Sequence, residues 1–312
     1  MSDKRNMVIS YVPHGINEKY FYPIHKDHKE YSKLLEYKEN MFGGKDYEFV
    51  VFFNSRNIHR KRPGDVILAF RDFCDRIGKE KAKKTALIMH TQAVDSNGTD
   101  LRAVKQALTD PEYINIYFSQ NKIDTMQMNI LYNIADVSVL MSSNEGWGLS
   151  LTESMMSGTM IIANTTGGMQ DQVRFEDEDR NWIKFTEEFP SNHRGTFKKH
   201  GRWAVPVFPS NISLAGSPTT PYIFDDRCSF EDIGQAIQQV YNLSKEERDV
   251  NGMAGREWVT SNESQMSAKN MCRNIIEVMD KGFEEFTPRS PFDLINVSER
   301  QPNVKVQNIS NY

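Results

Sequence analysis

Cysteine is scarce: Cys74, Cys228 and Cys272 lie far apart in 312 residues. Neither a disulfide framework nor a metal-binding cysteine spacing can be drawn from them, and a reducing compartment is the simplest setting. Long hydrophobic runs are also missing. The longest, such as 49–53 and 160–163, fall far short of the about 20 residues that span a bilayer. The opening stretch is charged rather than apolar, so neither a signal peptide nor a transmembrane helix is expected, and the expected location is cytoplasmic. There is no basic excess: 38 Lys+Arg against 42 Asp+Glu leave a net charge of −4, which argues against nucleic acid as a partner and requires any phosphate site to come from a local cluster. The histidines show no zinc spacing, and no serine sits in a G-x-S-x-G elbow.

What is present is an alternation of short β-rich runs with helical stretches, the pattern of parallel βαβ units. Strands are predicted at 48–53, 85–90, 114–118, 137–141 and 160–163, with helices at 65–77, 100–108, 124–134 and 149–156 between them. The fold class is therefore α/β, a Rossmann-like, doubly wound parallel sheet, in which ligands bind beyond the carboxyl ends of the strands. Ahead of it, residues 1–44 read as a linker-like segment, Pro/Gly-punctuated over 11–23, and then a charged helix. Residues 45–286 form the main domain, closed by helices at 229–243, 245–260 and 265–286. Within it 174–226 lacks a clean period and reads as an irregular insertion with two short strands, at 203–208 and 222–224; 287–312 is polar and reads as a flexible tail.

Three strand-to-helix loops attract attention. The first, after 48–53, carries Arg56, Arg60, Lys61 and Arg62, four cations in seven residues, just ahead of Pro63 at a helix start. Such a cluster suits a diphosphate; a solvated basic loop or an RNA patch has the same composition. In the second, Glu145-Gly146-Trp147-Gly148-Leu149 leads into a helix carrying Glu153. Two glycines let the backbone turn tightly and present N–H groups to an anion. The two glutamates, with seven residues between them, have backbones up to about 12 Å apart along a helix. That exceeds the ~5 to 9.5 Å of a glycosidase pair and favours an elongated ligand gripped at two ends, although Glu145 as a helix cap and Glu153 as a surface carboxylate fit the pattern equally. The third loop, with Gly167-Gly168, is by itself only a turn.

The order VPHG, Arg56 with Lys61, Glu145-Gly-Trp-Gly-Leu with Glu153, then Gly167-Gly168 resembles the C-terminal, donor-binding half of retaining GT-B glycosyltransferases of family four (glycosyl transferases group 1). The resemblance covers roughly 11–281. It implies a glycosyltransferase moving a hexosyl or related group from a nucleoside-diphosphate sugar, with no metal and no further cofactor. It assigns Arg56, Lys61 and Glu145 to catalysis and Arg56, Lys61, Glu145, Gly146, Trp147, Gly148, Leu149 and Glu153 to the donor: the cations on the diphosphate, amides near Gly148 and Leu149 on the distal phosphate, Glu145 on sugar hydroxyls and Glu153 on the ribose. Asp171 stands where the family commonly has Glu, and VPHG, which normally links two halves, begins here at residue 11. An acceptor-binding half is thus expected on another polypeptide or lost. Without it, the chain is an incomplete enzyme or a non-catalytic nucleotide-sugar-binding module, and Tyr20, Phe21, Tyr22 and Phe283 are expected to expose apolar surface and favour self-association.

Overall fold

The computed structural model describes residues 8–184, 186 and 189–286. Glu30 precedes α1 (Tyr31–Phe42), and the chain then enters β1 (Phe49–Asn54), a run buried on both faces. It continues through α2 (Pro63–Ile77), α3 (Lys79–Ala82), β2 (Thr85–His90), α4 (Leu101–Leu108), β3 (Asn115–Ser119), α5 (Thr125–Ile134), β4 (Val137–Leu140), α6 (Leu149–Met156), β5 (Met160–Asn164) and α7 (Met169–Val173). Local chemistry sets several of these boundaries. Asp100 caps α4 by accepting from the Arg102 and Ala103 amides, each at 3.0 Å, and Asp124 with Gln127 forms a capping box on α5. All five predicted strands and the four intervening helices are present within a few residues.

The strands form one parallel sheet in the order β3-β2-β1-β4-β5-β8. Residues alternate between two cores. Phe49, Val51 and Phe53 face α2, α4 and α8, whereas Val50 and Phe52 face α5, α6 and α9. Chain order reverses between β1 and β4, so a crevice opens at their carboxyl ends. The α/β doubly wound expectation is met.

The region after α7 differs from its reading as an irregular insertion. It holds a ribbon of β6 (Phe175–Glu176) and β7 (Lys199–His200), then β8 (Ala204–Val207), then a hairpin of β9 (Asn211–Leu214) and β10 (Phe224–Arg227). β8 is the sixth strand of the main sheet, parallel to β5. Its pairing partner lies some 40 residues upstream, which local pattern cannot reveal. Helices α8 (Phe230–Tyr241), α9 (Lys245–Thr260) and α10 (Ala268–Glu285) are the last elements among the described residues.

Tyr11–Ile275 forms one compact unit, so the segment ahead of the sheet is part of it. Asn129 and Asn133 of α5 accept from the Tyr22 and Ile24 amides at 3.0 and 2.6 Å, and Phe21 is only 7% exposed, edge-on to Tyr132. Of the aromatics expected at the surface here, Tyr20 alone is exposed. Their backbone amides need acceptors, and α5 supplies them. Of the described residues, 8–10 and 276–286 belong to a second unit, which holds Phe283; the tail expectation for 287–312 falls outside the described residues. Among the described residues no helix is long and apolar enough to cross a membrane.

Candidate functional site

The crevice between β1 and β4 is where the basic loop and the glutamate loop meet. After β1 the backbone makes a tight turn over His59–Lys61, and Arg62 adopts a left-handed φ of 54° before Pro63 opens α2. This turn separates the cations. Lys61 Nζ pairs with Glu145 Oε1, and Arg60 Nη1 reaches Glu145 Oε2 at 3.2 Å and the Asn144 carbonyl at 2.8 Å. Arg62 pairs with Asp225 at 2.9 Å, and Arg56 with Asp95 at 3.1 Å. The Ser143 amide donates to the Arg60 carbonyl at 2.8 Å, joining the two loops through their backbones. Burial, and then the Arg60 guanidinium, draws Lys61 down to about 8, an effect that the contacting Glu145 carboxylate opposes.

Gly148, at φ 90°, turns the chain into α6, whose N-terminus has no side-chain cap. Its first amides are therefore available to an acceptor from outside. Trp147 is buried: its indole N–H donates to Thr152 Oγ1 at 2.9 Å, and Gln172 Nε2 donates to the Trp147 carbonyl at 2.6 Å. About one turn into α6, Glu153 accepts from the Tyr132 hydroxyl at 2.6 Å; Tyr132 itself accepts from Asn54 Nδ2 at 2.9 Å. Burial raises Glu153 above the usual carboxylate range, against the Tyr132 hydrogen bond, which lowers it. Lys61, Glu145, Gly148, Leu149 and Glu153 line one cavity of about 400 Å³, which His14 and Asn54 also border. A larger cavity of about 660 Å³ lies at the other end of the sheet, around Asp136 and Arg248, away from these loops. There Arg248 Nε pairs with Asp136 at 3.0 Å.

The glycine pair supports the site from behind. A Cβ on Gly167 would stand 2.1 Å from the Glu145 carbonyl, and one on Gly168 would stand 2.2 Å from that of Gly146. Gly167 also has φ 53°. The pair thus permits two loops to touch backbone to backbone. Beside it, Tyr11 donates to Asp171 at 2.6 Å, and burial raises Asp171 to about 6. Among the described residues no group of three or more His, Cys, Asp and Glu side chains is placed to hold a metal ion.

Residues 38–188 match the family described as glycosyl transferases group 1. Among solved structures, sucrose-phosphate synthase from Thermosynechococcus elongatus superposes with a TM-score of 0.56 at 18% identity, covering 88% of this chain and 52% of that one. A glycosyltransferase from Rickettsia africae gives 0.56 at 17%, covering 87% and 56%. Anabaena HepE, solved in complex with UDP-glucose, gives 0.56 at 12%, covering 86% and 56%. The group 1 match thus covers close to half of the chain, and the fold is the one these solved structures share over the superposed part. The chain spans about half the length of the solved structures it matches. No curated protein matches the sequence as a relative.

Lys61, Glu145, Trp147, Gly148, Leu149 and Glu153 share one cavity, Gly146 faces a neighbouring one beside Tyr11 and Asp171, and Arg56 stands aside on Asp95 with its side chain 62% exposed. Three contributors, Ser142, Asn54 and Tyr132, were not singled out from sequence, and Arg60 was named only as one of four cations. Arg60 takes the place beside Lys61 because the tight turn directs it to Glu145. Ser142 donates to Glu145 Oε1 at 2.9 Å. Asn54 and Tyr132 orient Glu153, and their signal was a polar strand terminus and a tyrosine buried within an apolar helix.

Proposed function

We propose that this chain is the donor half of a retaining glycosyltransferase that works without a metal and carries a nucleoside-diphosphate sugar along the crevice between β1 and β4. One observation carries the reading: an ammonium, two carboxylates from different elements and an uncapped helix N-terminus border a single cavity of about 400 Å³ at the switch point of the sheet. Lys61, with Arg60 beside it and Arg56 at the rim, neutralises the diphosphate as it leaves; the α6 amides at Leu149 and Ser150 take the distal phosphate. Glu145 takes sugar hydroxyls and Glu153 the ribose. These cations and the helix dipole fill the role for which other transferases use a divalent ion. The solved neighbours extend over about twice this span, which supports placing the acceptor on a separate domain or a second chain.

The test is a calorimetric screen of uridine, guanosine and adenosine diphosphates with their sugar conjugates, followed by transfer assays in EDTA with the product anomer read by NMR. One nucleotide series should bind, EDTA should leave turnover unchanged, and the product should keep the donor's anomeric configuration. A strict metal requirement or an inverted product would refute the mechanism.

A further inference from the structure

The four cations of the β1 loop face three carboxylates, Asp95, Glu145 and Asp225. The most enclosed of these pairings, Lys61 with Glu145, lines the cavity. The Glu145 side chain is 8% exposed and the Lys61 side chain 14%. Both oxygens of Glu145 are engaged, Oε1 by Lys61 and the Ser142 hydroxyl, Oε2 by Arg60. A protein carboxylate therefore occupies the position against Lys61 that an incoming phosphate requires. Two anions cannot share that ammonium cheaply where so little water screens them.

We propose that Glu145 is a resident competitor for Lys61 that makes the site discriminate against the bare nucleoside diphosphate and expels it once the sugar has left. This inference rests on the donor reading given above. A nucleoside-diphosphate sugar brings hydroxyl groups, and these give the displaced carboxylate new donors, so the exchange of partners is nearly balanced. A bare nucleoside diphosphate brings negative charge and no hydroxyl at that end. Glu145 is then stranded beside the diphosphate or stays on Lys61 and opposes it. The discrimination thus comes from a repulsive element as well as an attractive one. After transfer the hydroxyls depart with the acceptor, Glu145 returns to Lys61 and Arg60, and the hold on the diphosphate weakens. Nothing needs to move but one side chain. A purely structural ion pair makes the opposite forecast: its loss would loosen the loop and weaken every anionic ligand.

The experiment compares the full chain with Glu145→Gln by calorimetry, using the nucleoside diphosphates, their sugar conjugates and inorganic pyrophosphate. Glu145→Gln is expected to bind the preferred nucleoside diphosphate and pyrophosphate about tenfold more tightly, the scale of one relieved like-charge contact. Its affinity for the sugar conjugate should not rise, so the preference for the conjugate should collapse. Glu145→Ala removes the same charge and should shift bare diphosphate binding in the same direction, should the glutamine variant melt early. If the conjugate still binds but the bare diphosphate gains nothing in either variant, the release role is overturned while the donor reading stands. If no nucleotide binds the unaltered chain or the variants, both are overturned.

Discussion

Tyr132 and Glu153 form a buried hydroxyl-to-carboxylate hydrogen bond of 2.6 Å, with Asn54 holding the far side of the phenol. The bond fixes where the second glutamate of the cavity presents its free oxygen. Tyr132→Phe should therefore weaken nucleoside and nucleoside diphosphate equally, by about 1 kcal/mol, the usual worth of one hydrogen bond. Glu153→Gln should cost both ligands about 1 to 3 kcal/mol. Calorimetry with a bare nucleoside reads this directly; an unchanged nucleoside affinity in Glu153→Gln would remove that residue from the ribose end.

Lys61 should matter more than Arg56. Lys61→Ala is expected to weaken nucleoside-diphosphate binding by about 1.5 to 3 kcal/mol, as for hydrogen bonds to charged groups. Arg56→Ala, exposed and already paired with Asp95, should cost less than about 1 kcal/mol. Binding should also fade with alkalinity. Lys61 is drawn down to about 8, and only its protonated form attracts the diphosphate, so affinity should drop as pH rises through that value. The same titration on Lys61→Ala should be flat there, and a slope that survives the substitution would assign the titration to another group.

Gly167→Ala should destabilise the domain by about 1 to 3 kcal/mol, the cost of overpacking, because the new methyl meets the Glu145 carbonyl and the backbone has positive φ. Urea unfolding measures the loss. Because the clash falls on the Glu145 loop, sugar-conjugate binding should suffer beyond what instability explains. Wild-type stability would show that the loops separate at little cost.

Asp171 offers a test of linkage with a definite sign. Its folded value of about 6 stands above the ordinary 3.8, so the folded state binds the proton more tightly, and this group's contribution to stability falls as pH rises from about 4 to 6. At neutral pH the burden is at most about 3 kcal/mol. Asp171→Asn keeps an acceptor for Tyr11 and removes the charge. Its melting temperature relative to wild type should therefore climb between pH 4 and 6 and stay higher above that. His193, lowered to about 4 by burial, works oppositely in the same window, so the difference between the two proteins, not the wild-type curve, carries the information. A constant difference across pH would mean that Asp171 titrates normally.

The strands of the sheet could be read from sequence because a parallel strand covered on both faces is a near-continuous apolar run, as in 49–53 and 160–163. β8 was visible as a strand but not as part of the sheet, since its place depends on pairing with β5 across the intervening ribbon. Lys61, Glu145 and Glu153 were legible because residue type and spacing follow the backbone path of strand, turn and helix. Choosing Arg60 over Arg56 needed the geometry of a single turn, and composition is silent on that. Asn54 and Tyr132 looked like core and strand end, which they are; their second task appears only when Glu153 is seen beside them.

The VPHG segment has a kinematic consequence. A Cβ on Gly15 would lie 2.3 Å from the Ser267 carbonyl, and the Ile16 carbonyl accepts from the Ala268 amide at 3.0 Å while its own amide donates to Met266 at 3.1 Å. His14, with its ring 6.0 Å from Trp147, is thereby riveted to the body whose cavity it borders. Under any rotation of that body the histidine travels with the cavity, as a fixed rim and not a flap. Its NMR shifts should then register the filling of the cavity without confusion from domain reorientation, making His14 a built-in occupancy gauge.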